Sequence, residues 1–330
     1  MLRILLIGSM PPPIGGITIH LDRFFNLYKN TFNIGILDIK KKTLFKKDKR
    51  IKAFFPIFNF FLRSNIVHIH ITNDYFKVIF ALLSRICFKT VIYTHHNSIV
   101  KNKLVFKVMY KLCHKIILVN DKSINKNLIN YKKTEVIPAF LPPYKFENLP
   151  TNIENELTNY KNVISTNCYL YNLINEKHVY GFDLIIDAFY HLSRTKRINN
   201  TLLILVDPSG TTKDYVDSLL KELDFKTNKI LHITENIDFV SLVKKSSLTI
   251  RATRTDGDSL SVRESLYFKV PIIASDVTWR PNGTILFKNN DSKDLAKKII
   301  YTLNNKYEIK YYNENYGNKI INLYHKFLKH

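Results

Sequence analysis

The sequence predicts an α/β protein made of two Rossmann-like, doubly wound parallel-sheet domains. Three observations carry this. Short aliphatic runs alternate with helix-length stretches from end to end, as parallel strands buried on both faces require. The alternation stops at a Pro-rich segment near residue 140 and then restarts. The 330 residues also suit two cores of ordinary size.

In the first half the strand candidates are Arg3–Gly8, Ile34–Ile39, Ile66–Ile71, Thr90–Thr94, Ile116–Val119 and Glu135–Pro138, with helical spacing between most of them. Phe140–Asn152, holding Pro142, Pro143 and Pro150, reads as a linker. Beyond it, Val163–Thr166, Leu202–Val206, Ile230–Ile233, Leu248–Arg251 and Pro271–Ala274 read as strands. Helices are expected near Phe182–Ser193, Tyr215–Leu223, Ser259–Phe268 and Ser292–Leu303. The expected domains are 1–150 and 151–312, with a C-terminal helix near 313–330 returning to the first. Ligands of such sheets bind beyond the carboxyl ends of the strands, so both halves are expected to face a central cleft.

Composition narrows the function classes. Three widely spaced cysteines exclude a disulfide scaffold and a Cys-rich zinc site. No apolar run reaches spanning length, and no signal peptide is expected, which points to the cytoplasm. The formal net charge is +23. It is uneven: residues 1–150 hold 25 basic and 7 acidic residues (+18), and the remainder 25 and 20 (+5). The basic half is therefore expected to face something anionic. Lys40–Lys52 precede the aromatic run Phe54–Phe61, and Lys103, Lys107, Lys111 and Lys115 recur every four residues. Basic stripes beside aromatic residues suit an anionic bilayer. A solvated helix face is the plainer meaning of such a stripe.

Three motifs suggest chemistry. The turn Pro11-Pro12-Pro13-Ile14-Gly15-Gly16 follows the first strand and opens a helix, so backbone N–H groups at Gly15 and Gly16 can approach a phosphate; a simple turn is the other reading. It is not the Gly-x-Gly-x-x-Gly fingerprint of a nicotinamide site. Thr94-His95-His96-Asn97 ends a strand and offers a cleft histidine, while His68 and His70 read as hydrogen-bonded strand histidines. Asp256-Gly257-Asp258-Ser259-Leu260-Ser261-Val262-Arg263-Glu264 leads into a helix, with Ser259 as its natural cap and two carboxylates eight residues apart. No metal is expected.

The chain resembles family-four glycosyltransferases of the GT-B fold, of the bacterial capsule, O-antigen and exopolysaccharide type. The likeness rests on the PPPIGG loop, YTHHN at 93–97, VIPAFLPP at 136–143, YGFDLIIDAF at 180–189 and RATRTDGDSLSVRESLYFKVPIIASD at 251–276. It implies a retaining transferase that takes a sugar from a UDP- or GDP-linked donor, with no further cofactor. The acceptor would be a glycan or a lipid-linked saccharide at the inner membrane face. By motif, His96 and Asp256 orient the donor sugar and Glu264 the ribose. Asp258, Ser259, Ser261, Arg251 and Arg263 would also bind the donor, the arginines at its diphosphate, and Gly15 and Gly16 would take the diphosphate or the acceptor. Asp256 departs from the usual Glu. Asn167 and Tyr180 stand where many members carry the Arg and Lys of the diphosphate site, a gap that Arg251, Arg254 or Arg263 would fill. A catalytically silent GT-B scaffold and a basic nucleic-acid-binding protein are the alternatives. The acidic loop and the lack of a nucleic-acid motif weigh against the last.

Overall fold

The aliphatic runs pair as parallel strands in two separate sheets. A computed structural model describes residues 2–12, 15–97, 99–120, 124–130, 132–305, 309 and 316–327. Unit 1 comprises Met1–Tyr144 with Glu314–His330, and unit 2 comprises Lys145–Asn313.

Unit 1 runs β1 (Arg3–Gly8), α1 (Gly16–Tyr28), β2 (Asn33–Asp38), β3 (Thr43–Lys46), β4 (Lys49–Ile51), α2 (Phe54–Leu62), β5 (Ile66–Ile69), α3 (Asp74–Ile86), β6 (Thr90–His95), α4 (Lys103–Leu112), β7 (Lys115–Leu118) and β8 (Thr134–Val136). Unit 2 runs α5 (Thr151–Thr158), β9 (Asn162–Asn167), β10 (Leu173–Ile174), β11 (Lys177–His178), α6 (Phe182–Arg194), β12 (Thr201–Val206), α7 (Lys213–Leu220), β13 (Lys229–Ile233), α8 (Phe239–Lys244), β14 (Leu248–Arg251), α9 (Leu260–Tyr267), β15 (Ile272–Ser275), β16 (Ile285–Phe287) and α10 (Ser292–Asn304). The last helix, α11 (Tyr316–Lys326), belongs to unit 1.

The sheet of unit 1 has the order β4-β3-β2-β1-β5-β6-β7-β8, with β2 and β5 flanking β1 in parallel. Its edge differs from expectation: the basic segment after residue 40 folds as the antiparallel strands β3 and β4. The six-stranded sheet of unit 2 is all parallel in the order β13-β12-β9-β14-β15-β16, and β10 and β11 form a separate antiparallel pair. Its central strand β12 is buried along its whole length, which is why it reads as an unbroken apolar run. Gly181 caps α6 at φ +68°, and a Cβ there would lie 2.2 Å from the Ala252 carbonyl oxygen. Only glycine lets α6 sit that close to the loop that follows β14.

The segment read as a linker is partly core. Phe140 and Leu141 are fully buried in unit 1. His20 Nδ1 donates to the Ala139 carbonyl at 2.7 Å and Arg23 Nη1 to that of Leu141 at 2.9 Å, so α1 holds this strand down. Thr151 already begins α5. The lysine stripe is also corrected: Lys103, Lys107 and Lys111 are exposed on α4, but Lys115 starts β7 and lies 3.9 Å from Glu135. Helical spacing cannot reveal that the helix stops at Leu112.

Candidate active site

At the carboxyl end of β14 the chain turns through 252–259 into α9, and here unit 2 concentrates its charge. Asp256 is the centre. Its Oδ2 accepts from Arg251 Nε at 3.1 Å, Arg280 Nη1 at 2.7 Å and the Thr253 hydroxyl at 3.1 Å, while Oδ1 accepts from the Gly257 N–H at 3.0 Å. Burial alone would push this carboxyl up, but the guanidiniums of Arg251 and Arg280 outweigh burial and hold it at about 2. Two cations share one anion, which leaves the network positive.

The arginines divide by burial. Arg280, its side chain 2% exposed, also donates to the Ser275 carbonyl and to the hydroxyls of Thr253 and Ser275, so it braces the loop from below. The Arg251 guanidinium lies 5.1 Å from the centre of the Tyr180 ring. Among the described residues its Nη1 makes no hydrogen bond. Continuing the β9–β14 register from Thr249↔Ser165 by two residues sets Arg251 beside Asn167. Arg251 thus stands at both positions, Asn167 and Tyr180, where the resemblance expects bases.

Arg263 is placed otherwise. It and Asp258 are both 2% exposed and bonded at 2.6 Å, a pair inside the unit. Arg254 forks onto Asp183 at 2.9 and 2.6 Å, fastening the loop to the first turn of α6. Ser259 occupies the cap position of α9, yet its hydroxyl bonds that of Ser261 at 3.0 Å and no side chain caps the helix. The Ser259 side chain therefore leaves the first-turn N–H groups of α9 without its cap, and such groups are anion donors. Glu264 is 6% exposed, one turn along α9.

In unit 1, His96 lies just past β6 and joins a cluster with His20, His68 and His70. His70 Nδ1 and His96 Nε2 are 2.9 Å apart, and the His20 ring centre is 5.3 Å from that of His70 and 5.6 Å from that of His96. His68 is held by the Tyr324 hydroxyl of α11 at 2.6 Å and by Thr94 at 2.7 Å. Burial first, then neighbouring imidazoles, keeps His68, His70 and His96 well below the usual histidine range. Burial, opposed by the Ala139 carbonyl, lowers His20 to about 4. His96 Nδ1 has no hydrogen bond among the described residues, so a neutral imidazole nitrogen remains for a ligand. His95 packs the other way, against Phe106. Gly15 caps α1, and a Cβ on Gly16 would meet nothing within 4 Å, so the chain's own packing does not demand glycine there. Pro13 and Ile14 of this turn lie outside the described residues.

Among the described residues no group of three or more His, Cys, Asp or Glu side chains is placed to hold a metal ion. The buried imidazoles have a consequence for stability. Their folded pKa values lie below the unfolded value of about 6.5, so the unfolded chain binds more protons as pH falls. Stability is fully present above pH 6.5 and is lost toward pH 4, by about 2 kcal/mol for His20 at pH 5. Urea midpoints at pH 7 and pH 5 check this; an unchanged midpoint contradicts it.

Residues 168–320 match the family model described as Glycosyl transferases group 1. The matched stretch takes in most of unit 2 and the start of α11. The whole chain is similar in fold to solved glycosyltransferases. The Anabaena Alr3699/HepE structure with UDP-glucose has a TM-score of 0.64 at 14% identity, covering 99% of this chain and 98% of that one. A Rickettsia africae glycosyltransferase gives 0.64 at 15% identity, covering 99% of both chains. The lipopolysaccharide outer core galactosyltransferase WaaB gives 0.61 at 11% identity, covering 98% of this chain and 99% of that one. None of the curated proteins matches the chain. The fold is GT-B, with two Rossmann-like units, and the enzyme is a glycosyltransferase. Within its domain, Arg280 escaped sequence reasoning: it lies 24 residues beyond Asp256, outside any motif, and only the return of the chain after β15 brings it to the carboxylate.

Proposed function

We propose that the protein transfers a sugar, with retention of configuration, from a UDP- or GDP-linked donor to a glycan or lipid-linked acceptor in surface-polysaccharide assembly. The observation that carries this is the Arg251–Asp256–Arg280 network beside the uncapped start of α9 and the buried Glu264. As the sugar leaves, charge grows on the diphosphate; Arg251 and the α9 N–H groups supply fixed positive charge there. Glu264 takes the ribose hydroxyls. Asp256 holds both arginines and approaches the donor sugar; in unit 1, His96 Nδ1 and the open turn at Gly15 and Gly16 offer contacts of their own to a ligand. The UDP-glucose bound by the Anabaena protein supports a UDP donor. Product analysis by NMR tests the chemistry: an α-linked donor should give an α-linked product, and an inverted linkage would overturn retention. Glu264→Ala is expected to weaken donor binding by about 1.5–3 kcal/mol, the worth of hydrogen bonds to a charged group. Titration calorimetry checks this, and unchanged affinity removes Glu264 from the site.

We also propose work at an anionic membrane surface. Among the described residues no helix is long and apolar enough to cross a membrane. In unit 1, Phe54, Phe55 and Phe58 are exposed on α2, and Lys103, Lys107 and Lys111 line α4. Vesicle co-sedimentation should show binding to anionic but not neutral lipid, falling as salt rises because the attraction is screened over about 8–10 Å. Equal binding to both lipids, or no effect of replacing the three lysines by Gln, removes the membrane from this reading.

A further inference from the structure

A cavity of about 310 Å³ opens in unit 1 beyond the carboxyl ends of β5 and β6, between the starts of α3 and α4. Its wall is rich in donors. His95 is 4% exposed, and its Nε2 has no hydrogen-bond partner among the described residues. The buried Tyr93 hydroxyl makes its one hydrogen bond, at 3.1 Å, to His95 Nδ1. Tyr93 must donate there, since its proton has no other acceptor among the described residues, and the neutral ring then carries its own proton on Nε2. Burial and Lys77 keep the ring neutral, against Asp74 and the Ile99 carbonyl, which faces the ring without meeting hydrogen-bond geometry at Nε2.

Asn73 and Asn102 add two more donors. Their Oδ1 atoms cap α3 and α4, accepting from Tyr75, Phe76 and Val105 N–H groups at 3.0–3.1 Å, so their amide nitrogens remain. The one carboxylate on the wall, Asp74, is neutralised by Lys77 at 2.5 Å, and Lys101 stands at the rim. Two helix N-termini converge on the same space. Such a wall fits an anion, and the orphaned buried Nε2 marks it as unfinished without one.

The cavity adjoins a helix turned inside out. α3 buries Lys77, Ala81 and Ser84 and exposes Tyr75, Phe76, Ile79, Leu82, Leu83 and Ile86. The exposed set has helical spacing, so an apolar stripe about 17 Å long faces away from the core. Tyr75 belongs to both features: it lines the cavity and begins the stripe.

We propose that unit 1 binds a phosphate-bearing lipid, with the phosphate in the cavity at His95, Asn73 and Asn102 and the apolar chain along α3. The proposal rests on the glycosyltransferase reading only in naming this lipid as the carrier of the acceptor sugar. The test is calorimetric titration of the full chain with decyl phosphate below its micelle concentration, with decanol and inorganic phosphate as comparisons. Decyl phosphate should bind at least tenfold tighter than either. His95→Phe and the surface variant Lys101→Gln should weaken it, whereas Ile79→Ser with Leu83→Ser should weaken it without changing inorganic phosphate binding. The thermal shift given by nucleotide sugars, read on the same samples, should be unchanged in all three. Inorganic phosphate binding as tightly as decyl phosphate would overturn the lipid assignment. So would decyl phosphate affinity indifferent to both sets of variants. A concentration-dependent dimer abolished by Ile79→Ser would assign the stripe to a second copy instead. Loss of the nucleotide-sugar shift in the parent chain would strike the enzymatic reading and leave the lipid site standing.

Discussion

Asp256→Ala is expected to destabilise unit 2 by about 3–5 kcal/mol, the loss that follows when one partner of a buried ion pair is removed. The reason is specific. Arg280 and Arg251 have side chains 2% and 14% exposed, and both lose the carboxylate that compensates their burial. Turnover should fall with it, because Arg251 is no longer aimed. Asp256→Asn, which keeps hydrogen-bonding capacity but not charge, should fall between. An exposed pair gives the contrast: removing Asp48 from Lys29, at 2.7 Å but with Asp48 61% exposed, should change stability by less than about 1 kcal/mol. Urea unfolding at pH 7 measures all three. If Asp256→Ala unfolds like the Asp48 variant, the network does not hold the loop.

The second large effect separates two arginines that the sequence leaves equal. Arg251→Ala should weaken nucleoside diphosphate by about 1.5–3 kcal/mol, roughly 10- to 150-fold, and leave nucleoside nearly unchanged, since only the diphosphate carries the charge. Arg263→Met should act on stability instead, because its guanidinium is enclosed with Asp258. Competition binding with nucleoside and nucleoside diphosphate gives both answers. Selectivity lost in the Arg263 variant and retained in the Arg251 variant would reverse the assignment.

Why these arginines look alike in sequence is a question of distance. Strands buried on both faces announce themselves as aliphatic runs, so β1 and β12 are legible to within a residue. β3 and β4 are not: they lie at an antiparallel edge in a run of lysines, and Leu44 and Phe45 alone do not make a pattern. The acidic loop is legible because its residues are neighbours in the chain. Its partners Arg280 and Asp183 are not, since each arrives from another element. The same limit hid the histidine cluster, which gathers His20 from α1, His68 and His70 from around β5 and His96 from beyond β6. α3 misleads for a different reason. An apolar stripe at helical spacing ordinarily packs on the core, and nothing in the sequence says that this one faces out.

The measurement that tests the account most directly is thermal unfolding of the full chain against a panel of UDP- and GDP-linked sugars, with the Glu264→Ala variant alongside. A ligand that binds only the folded chain stabilises it in proportion to the logarithm of its concentration. The account predicts that at least one nucleotide sugar raises the transition temperature in this way, that the free nucleoside diphosphate does so too, and that Glu264→Ala blunts both. No shift with any nucleotide sugar or nucleoside diphosphate at millimolar concentration would contradict it.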